Sequence, residues 1–293
     1  MNDSAMADRA EAERMGRWSL PARALTIAGS DAGGGAGIQG DLKTFQELGV
    51  YGMSVVTAVT AQNSLGVQLA EPMPPRLIAA QLDSVLSDLG VDAAKTGMVP
   101  TPEAAEAVAG ALRRFGVRRL VVDPVQLSKD GFALAGPGAF EATAKLLLPL
   151  AELATPNVPE AAALLGIAEA DLAGLGARVE AARSLLAWGP RYVLLKGGHA
   201  DDDACTDILV GAADGGAEPT LLRGPRLPGS GARGTGCAFA AAACAAMALG
   251  RDVPAACRSA KAFVAAALAA SFRLGAGTPS LNHACGKPKK WSE

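Results

Sequence analysis

The chain is poor in aromatic residues, in histidine and in charge of either sign. Aromatics make up 4% of its 293 residues, histidine occurs twice, and charged residues make up 19%, with a formal net charge of −2. No basic stripe runs along it, which excludes the electrostatic footprint of a nucleic-acid binder or of a protein held on an anionic membrane. Its five cysteines include no CxxC pair and no metal-ligand spacing. An odd count in a chain of this length suits a reducing cytosol, where most thiols act as small core hydrophobes. The longest apolar run follows Gly236 and is dominated by alanine, too weakly hydrophobic for a membrane span. Residues 1–22 carry acids and arginines of both signs without the apolar stretch of a secretory leader. They are expected to form a disordered N-terminal extension, and the basic residues 287–293 a flexible tail. Neither an internal repeat nor an interdomain linker is visible, so residues 23–286 are expected to form one domain.

Half of the residues are hydrophobic, enough for one large α/β domain with a deep core. Strand and helix signals alternate. Strands are predicted at Ala24–Gly29, Gly52–Thr60, Ala93–Gly97, Arg119–Asp123, Glu152–Thr155 and Tyr192–Leu195. Helices are predicted at Ile38–Leu48, Arg76–Asp88, Pro102–Phe115, Gly138–Leu148, Val158–Leu165, Arg178–Ala187, Cys237–Leu249 and Val253–Arg273. On the second helix, Leu77, Ala80, Val85 and Leu89 are read as the apolar side. Cys205–Val210 and Pro219–Leu222 read as an edge hairpin, and Thr57–Asn63 as a strand end running into a loop. This order predicts a mostly parallel sheet covered on both faces. Ligands of such sheets sit beyond the carboxyl ends of the strands, where Gly29, Gln62, Met98, Asp123, Asn157 and Lys196 fall.

Two glycine turns carry the chemistry. Gly234-Thr235-Gly236-Cys237 runs straight into the Ala-rich helix. The unpaired N–H groups and positive dipole end of a helix N-terminus make an anion hole. A cysteine at its mouth points to phosphoryl transfer to a small molecule, and the helix N-terminus is expected to lower the thiol pKa. The second turn, Gly29-Ser30-Asp31-Ala32-Gly33-Gly34-Gly35-Ala36-Gly37, links a strand to a helix. It is neither a dinucleotide fingerprint, since Asp31 and Asp41 flank it, nor a P-loop, since no Gly-Lys-Ser/Thr follows. Those acids fit the hydroxyl and amine groups of a neutral substrate.

These motifs have companions along the chain: TAVTAQNSLGV from Thr57, AAQLDSVLSDLGVDAAKTGM from Ala79, VVDPV from Val121, TPNVPEAAALLG from Thr155 and VLLKGGH from Val193. Together they cover roughly residues 24–275. In order and spacing the chain resembles the hydroxymethylpyrimidine/phosphomethylpyrimidine kinase family of thiamine biosynthesis, within the ribokinase-like superfamily. The resemblance implies a three-layer α/β/α fold with a central, mostly parallel sheet. It implies ATP- and Mg²⁺-dependent phosphorylation of 4-amino-5-hydroxymethyl-2-methylpyrimidine and then of its monophosphate. Gln62, Asp41 and Met98 fall on substrate positions of the family, with Gly29, Ala36 and Val125 lining the pocket. Asp123 and Glu160 fall on the Mg²⁺ positions, and Asn157 and Lys196 at the ATP phosphates. Cys237 stands where most of the superfamily has an aspartate base, with Gly234, Thr235 and Gly236 forming the hole. A cytoplasmic homodimer is expected, with the pyrimidine and ATP as partners.

Local readings stand beside these roles. Asn157 and Glu160 also spell a helix capping box, Asp41 an exposed first-turn carboxylate, Met98 and Val125 core packing. The chain departs from the family at Gly40 (usually alanine), Gln126 (usually methionine) and Ala232-Arg233 (usually Thr-His). Arg233 is placed at the ATP phosphates or in solvent. His199 is expected at the surface, and His283 receives no role. Two rival readings remain, a pyridoxal/pyridoxine kinase and a catalytically silent pyrimidine-binding protein.

Overall fold

The structure, a computed structural model, describes residues 20–128, 131–198, 205–212, 218–224 and 231–286. The tail at 287–293, His199 and all of the N-terminal extension before Leu20 lie outside the described residues. Ala22 already belongs to the core, and its carbonyl accepts the Tyr51 N–H at 2.8 Å.

The strands are β1 (Arg23–Asp31), β2 (Tyr51–Asn63), β3 (Gly66–Pro72), β4 (Ala93–Thr96), β5 (Leu120–Val122), β6 (Leu153–Ala154), β7 (Tyr192–Leu195), β8 (Asp207–Gly211) and β9 (Thr220–Leu222). The helices are α1 (Gly37–Glu47), α2 (Pro75–Ser84), α3 (Pro102–Arg114), α4 (Ala139–Leu147), α5 (Val158–Leu165), α6 (Leu175–Leu185), α7 (Thr235–Ala248) and α8 (Val253–Ala269). The nine strands form one sheet in the order β3-β2-β1-β4-β5-β6-β7-β8-β9. Pairing is parallel from β2 through β7 and antiparallel at the edges, β2 with β3 and β7 with β8 with β9.

Alternate residues along β1 face opposite ways, as a pleated strand requires. Leu25 and Ile27 join a core with Ile78, Leu82, Val108, Leu147 and Leu185, from α2, α3, α4 and α6. Ala24 joins a second core with Phe45, Phe239, Cys244 and Phe263, from α1, α7 and α8. The fold is therefore α/β/α in three layers. Every residue of α7 from Ala238 to Ala248 is buried, as expected of a helix apolar on all sides. Its small side chains place the N-terminal turn of the helix directly against the strand ends.

Four sequence expectations are corrected. Beyond the expected strand end at Thr60, β2 runs on to Asn63 and folds back as β3, so Gln62 lies within a strand, opposite Val67. Gly29 likewise lies within β1, which extends to Asp31. The buried side of α2 and the π-turn after it is Ile78, Leu82 and Leu86, while Leu77 and Leu89 are 45% and 44% exposed. Burying one such aliphatic side chain is worth about 1.5–3 kcal/mol, so the stripe with the larger buried side chains sets the helix rotation. Finally, α8 ends at Ala269 rather than Arg273. The chain then crosses back as a strap in which Phe272 bridges Ser280 and the Thr278 N–H donates to the Ser64 carbonyl at 2.8 Å.

Candidate active site

The glycine-rich turn after β1 is wrapped around one carboxylate. Asp31 Oδ1 accepts the Gly33 N–H at 2.8 Å, and Oδ2 accepts those of Gly35 and Ala36 at 3.0 and 2.9 Å. The same Oδ2 receives Nη2 of Arg233 at 3.1 Å. Arg233 thus lies against Asp31 and not in solvent. Directly after it, Gly234 has φ +80, and a Cβ there would collide with the Gly35 carbonyl. The two glycine turns touch backbone to backbone, a contact open only to glycine. The expectation that Asp31 serves the substrate's hydroxyl or amine is corrected: both of its oxygens hold the loop.

Asp41 is also buried rather than exposed on the first turns of α1. Its Oδ2 accepts from Thr26 Oγ1 at 2.6 Å and from Lys95 Nζ at 2.9 Å, and the Asp41 and Lys95 side chains are 0% exposed. Its Oδ1 has no hydrogen-bond partner among the described residues. Burial pushes this carboxyl above the usual range, while Lys95 and Thr26 draw it back. Burial alone would lower the Lys95 pKa, but Asp41, then Cys237 and Asp123, hold the ammonium above its ordinary value. Sequence reasoning missed Lys95. Its signal was a lysine inside a strand that a doubly covered sheet buries, where a charge needs a partner.

The carboxyl ends of β5, β6 and β7 gather a polar cluster, of which Lys196 and Asp123 reach the first turn of α7. Asp123 Oδ1 accepts from Thr155 Oγ1 at 3.0 Å and from Lys196 Nζ at 2.7 Å. A Cβ on Gly236 would lie 3.3 Å from Lys196 Nζ and 4.0 Å from Asp123 Oδ2. Asn157 bridges to Lys196 and caps α5. Its Oδ1 accepts the Glu160 N–H at 2.8 Å, and its own N–H donates to Glu160 Oε2 at 2.8 Å. The capping box is therefore present, and the same carboxylate faces the cluster. Burial, opposed by Lys196 and reinforced by Asp123, pushes the Glu160 carboxyl up to about 7. Lys196 would be lowered by burial, yet Asp123 and Glu160 raise it, so it stays an ammonium.

This donor set fits Mg²⁺ carried on a nucleotide. Mg²⁺ takes one or two carboxylates and fills its remaining positions with water and phosphate oxygens. Asp123 and Glu160 supply oxygens, whereas no group of three or more His, Cys, Asp or Glu forms a metal cage among the described residues.

Cys237 is partly exposed in the first turn of α7. Burial pushes its thiol up to about 11; Lys95 pulls it down, Asp41 and Asp123 push it up, and an N–H from Gly37 pulls it down. The expectation of a lowered pKa is corrected. Lys95 and the Gly37 N–H do not offset burial, Asp41 and Asp123.

The expected pocket residues are partly brought together. A Cβ on Gly29 would lie 2.8 Å from Met98 Sδ, so the absence of a side chain there makes room for the methionine. Gly33 abuts the Gln62 carbonyl, 3.0 Å from where its Cβ would be. Gln62 is half-buried, with Oε1 3.1 Å from Thr60 Oγ1, a hydroxyl that also reaches the Ser30 carbonyl at 2.9 Å. Ala36, also half-buried, precedes α1 in the loop held by Asp31. Val125 follows the end of β5, and its N–H donates to the Asp123 carbonyl at 2.8 Å. His283 is buried, with Nε2 3.4 Å from where a Cβ on Gly40 would sit.

Comparison with known proteins agrees with this geometry. A family model described as phosphomethylpyrimidine kinase matches residues 31–282. The hydroxymethylpyrimidine/phosphomethylpyrimidine kinase of Streptomyces coelicolor is 48% identical over 263 residues, 90% of this chain and 94% of that protein. The protein of the same name from Rhizobium meliloti is 46% identical over 90% of this chain and 97% of its own length. Among solved structures, the ADP complex of Bacillus subtilis pyridoxal kinase has a TM-score of 0.82 at 36% identity, covering 91% of this chain and 99% of that one. A phosphomethylpyrimidine kinase from Clostridium difficile has a TM-score of 0.72 at 39% identity, covering 83% and 97%. With the glycine turn before α7, the Asp123–Lys196 pair and the three-layer sheet in place, the chain belongs to the phosphomethylpyrimidine kinase family, phosphotransferases of the ribokinase-like fold that act in thiamine biosynthesis.

Proposed function

We propose that this enzyme transfers the γ-phosphoryl group of ATP first to the hydroxymethyl oxygen of 4-amino-5-hydroxymethyl-2-methylpyrimidine and then to the phosphate of the product. The observation that carries the reading is the meeting of Lys196, Asp123 and the open first turn of α7 at Gly236. A fixed cation and unpaired N–H groups there stabilise charge on a transferring phosphoryl group without reorganisation. Asn157 and Lys196 face the nucleotide phosphates in this reading, and Asp123 and Glu160 would hold Mg²⁺, which when bound would neutralise charge on the phosphates. Gly29, Ala36, Met98 and Val125 wall the pyrimidine pocket, and Asp41, held by Lys95, closes its polar side. The test is a mass-spectrometric product assay with ATP, Mg²⁺ and the hydroxymethylpyrimidine, in which mono- and diphosphate both form. Absence of both products would overturn the reading.

A second reading is supported by the likeness to pyridoxal kinase structures, one of them solved with AMP-PCP and pyridoxal at a TM-score of 0.82. Gln62 discriminates between the two. Its planar amide carries two donors and an acceptor, which match a ring nitrogen and an exocyclic amine of an aminopyrimidine edge. Gln62→Ala is expected to weaken pyrimidine binding by about 1–3 kcal/mol in titration calorimetry while leaving ATP binding unchanged. Equal affinity in the mutant, or faster steady-state turnover of pyridoxal than of the pyrimidine by the parent, favours the second reading.

A further inference from the structure

Three segments far apart in the chain meet at Arg233, one at its guanidinium and one at its backbone. Arg233 and Asp31 are 202 residues apart, and their side chains are 10% and 2% exposed. Oδ2 of Asp31 receives three donors: the N–H groups of Gly35 and Ala36, and Nη2 of Arg233. The Arg233 N–H donates to the Pro279 carbonyl at 2.9 Å, and Arg233 bridges Ser280, whose Oγ lies 3.5 Å from where a Cβ on Gly35 would be. The strap after α8 therefore closes over the same junction.

Position gives this pair its consequence. Asp31 shapes the turn that walls the acceptor's pocket. Arg233 stands one peptide before Gly234 and two before the first N–H groups of the anion hole. Removing either partner leaves the other charge buried and uncompensated. In-line transfer is sensitive to the distance between these two turns, because a shift of 1 Å between reacting groups costs about 10²-fold in rate.

We propose that Arg233 is a positioning residue: its guanidinium, seated on Asp31, locks the phosphate-holding turn Gly234–Cys237 to the acceptor-holding turn Asp31–Ala36, so that the two halves of the site become ordered together. The proposal rests on the phosphotransferase reading above. It differs from a direct grip of Arg233 on the nucleotide, in which Asp31 would have no part.

The experiment combines hydrogen exchange with kinetics on the full chain. Arg233→Ala is expected to speed amide exchange about tenfold in peptides spanning 31–37 and 234–237 alike, since exchange reports local opening. It is expected to lower kcat about 10- to 100-fold with both acceptors, with the KM for ATP held within twofold. Arg233→Lys, which keeps the charge, recovers most of the protection. Asp31→Asn reproduces the pattern, and the double mutant Asp31→Asn/Arg233→Ala costs no more than the worse single change. Arg233→Gln, neutral and of similar reach, carries the test should Arg233→Ala not fold. Unchanged exchange with a KM for ATP raised tenfold overturns the latch in favour of direct phosphate binding, and independent, multiplying losses overturn it as well. A parent protein inactive on both acceptors would refute the phosphotransferase reading, while the exchange comparison still judges the latch.

Discussion

Replacing Cys237 with alanine is expected to slow transfer to the hydroxymethyl group by about 10²–10⁴-fold, the usual cost of a lost general base, and transfer to the phosphate monoester far less. An alcohol has a proton to lose in or near the transition state, whereas a phosphate monoester arrives as an anion. The thiol is pushed up to about 11, so at pH 7 roughly one site in 10⁴ holds a thiolate. A neutral thiol does not repel the anionic acceptor of the second step, as a fixed carboxylate would. For the first step the sign is definite. The thiolate fraction grows tenfold per pH unit below about 11, so single-turnover rates on the alcohol rise with pH through 8–10 without reaching a plateau, above the range in which Glu160 titrates near 7. That slope disappears in Cys237→Ala. The N–H groups of Gly236 and its neighbours remain, so the anion hole survives the change. Equal losses on both acceptors, or a pH slope that persists without the thiol, would show that Cys237 packs or positions and does not take the proton.

The motif residues were legible in the sequence because each follows a short apolar run and precedes a turn. Asp123 precedes Pro124, Asn157 stands before Val158-Pro159, and Lys196 before two glycines. Period and turn chemistry place such residues at strand ends without knowledge of the fold. The β3 edge strand was not legible, because its apolar alternation is confined to Val67 and Leu69 and buries little: Leu69 is 62% exposed. The end of α8 was hidden for a different reason. Nothing in Ala270–Arg273 forbids helix, and the strap is fixed instead by contacts with Ser64 and Arg233, far away in sequence. Pairings across the chain stayed invisible. Lys95 meets Asp41 over 54 residues and Arg233 meets Asp31 over 202. The thiol's direction of shift followed the same rule. A helix N-terminus can be read from sequence, but the burial that chiefly raises this thiol, and the carboxylates of Asp41 and Asp123 that add to it, arise only in the folded chain.

Asp123→Asn is expected to lower turnover about 10²–10³-fold on either acceptor and to raise the Mg²⁺ concentration needed for half-maximal rate. Asparagine keeps the shape, and its oxygen can still accept from Thr155 and Lys196 as Asp123 Oδ1 does at 3.0 and 2.7 Å. Folding is therefore retained while the charge is removed. Two consequences follow from that charge. Lys196 loses the carboxylate that chiefly holds its ammonium above the ordinary value, and Glu160 loses a neighbour that pushes its own carboxyl up. Glu160 is then left as the remaining acid to face Mg²⁺, and one carboxylate with water holds the ion less firmly than two. Pyrimidine affinity measured without nucleotide should not move, because in the proposed reading Gln62 and Met98, and not Asp123, contact the pyrimidine. A Mg²⁺ titration superimposable on that of the parent would refute the metal role of Asp123, and with it the assignment of Glu160. A loss confined to pyrimidine affinity would move Asp123 from the phosphate side of the site to the acceptor side.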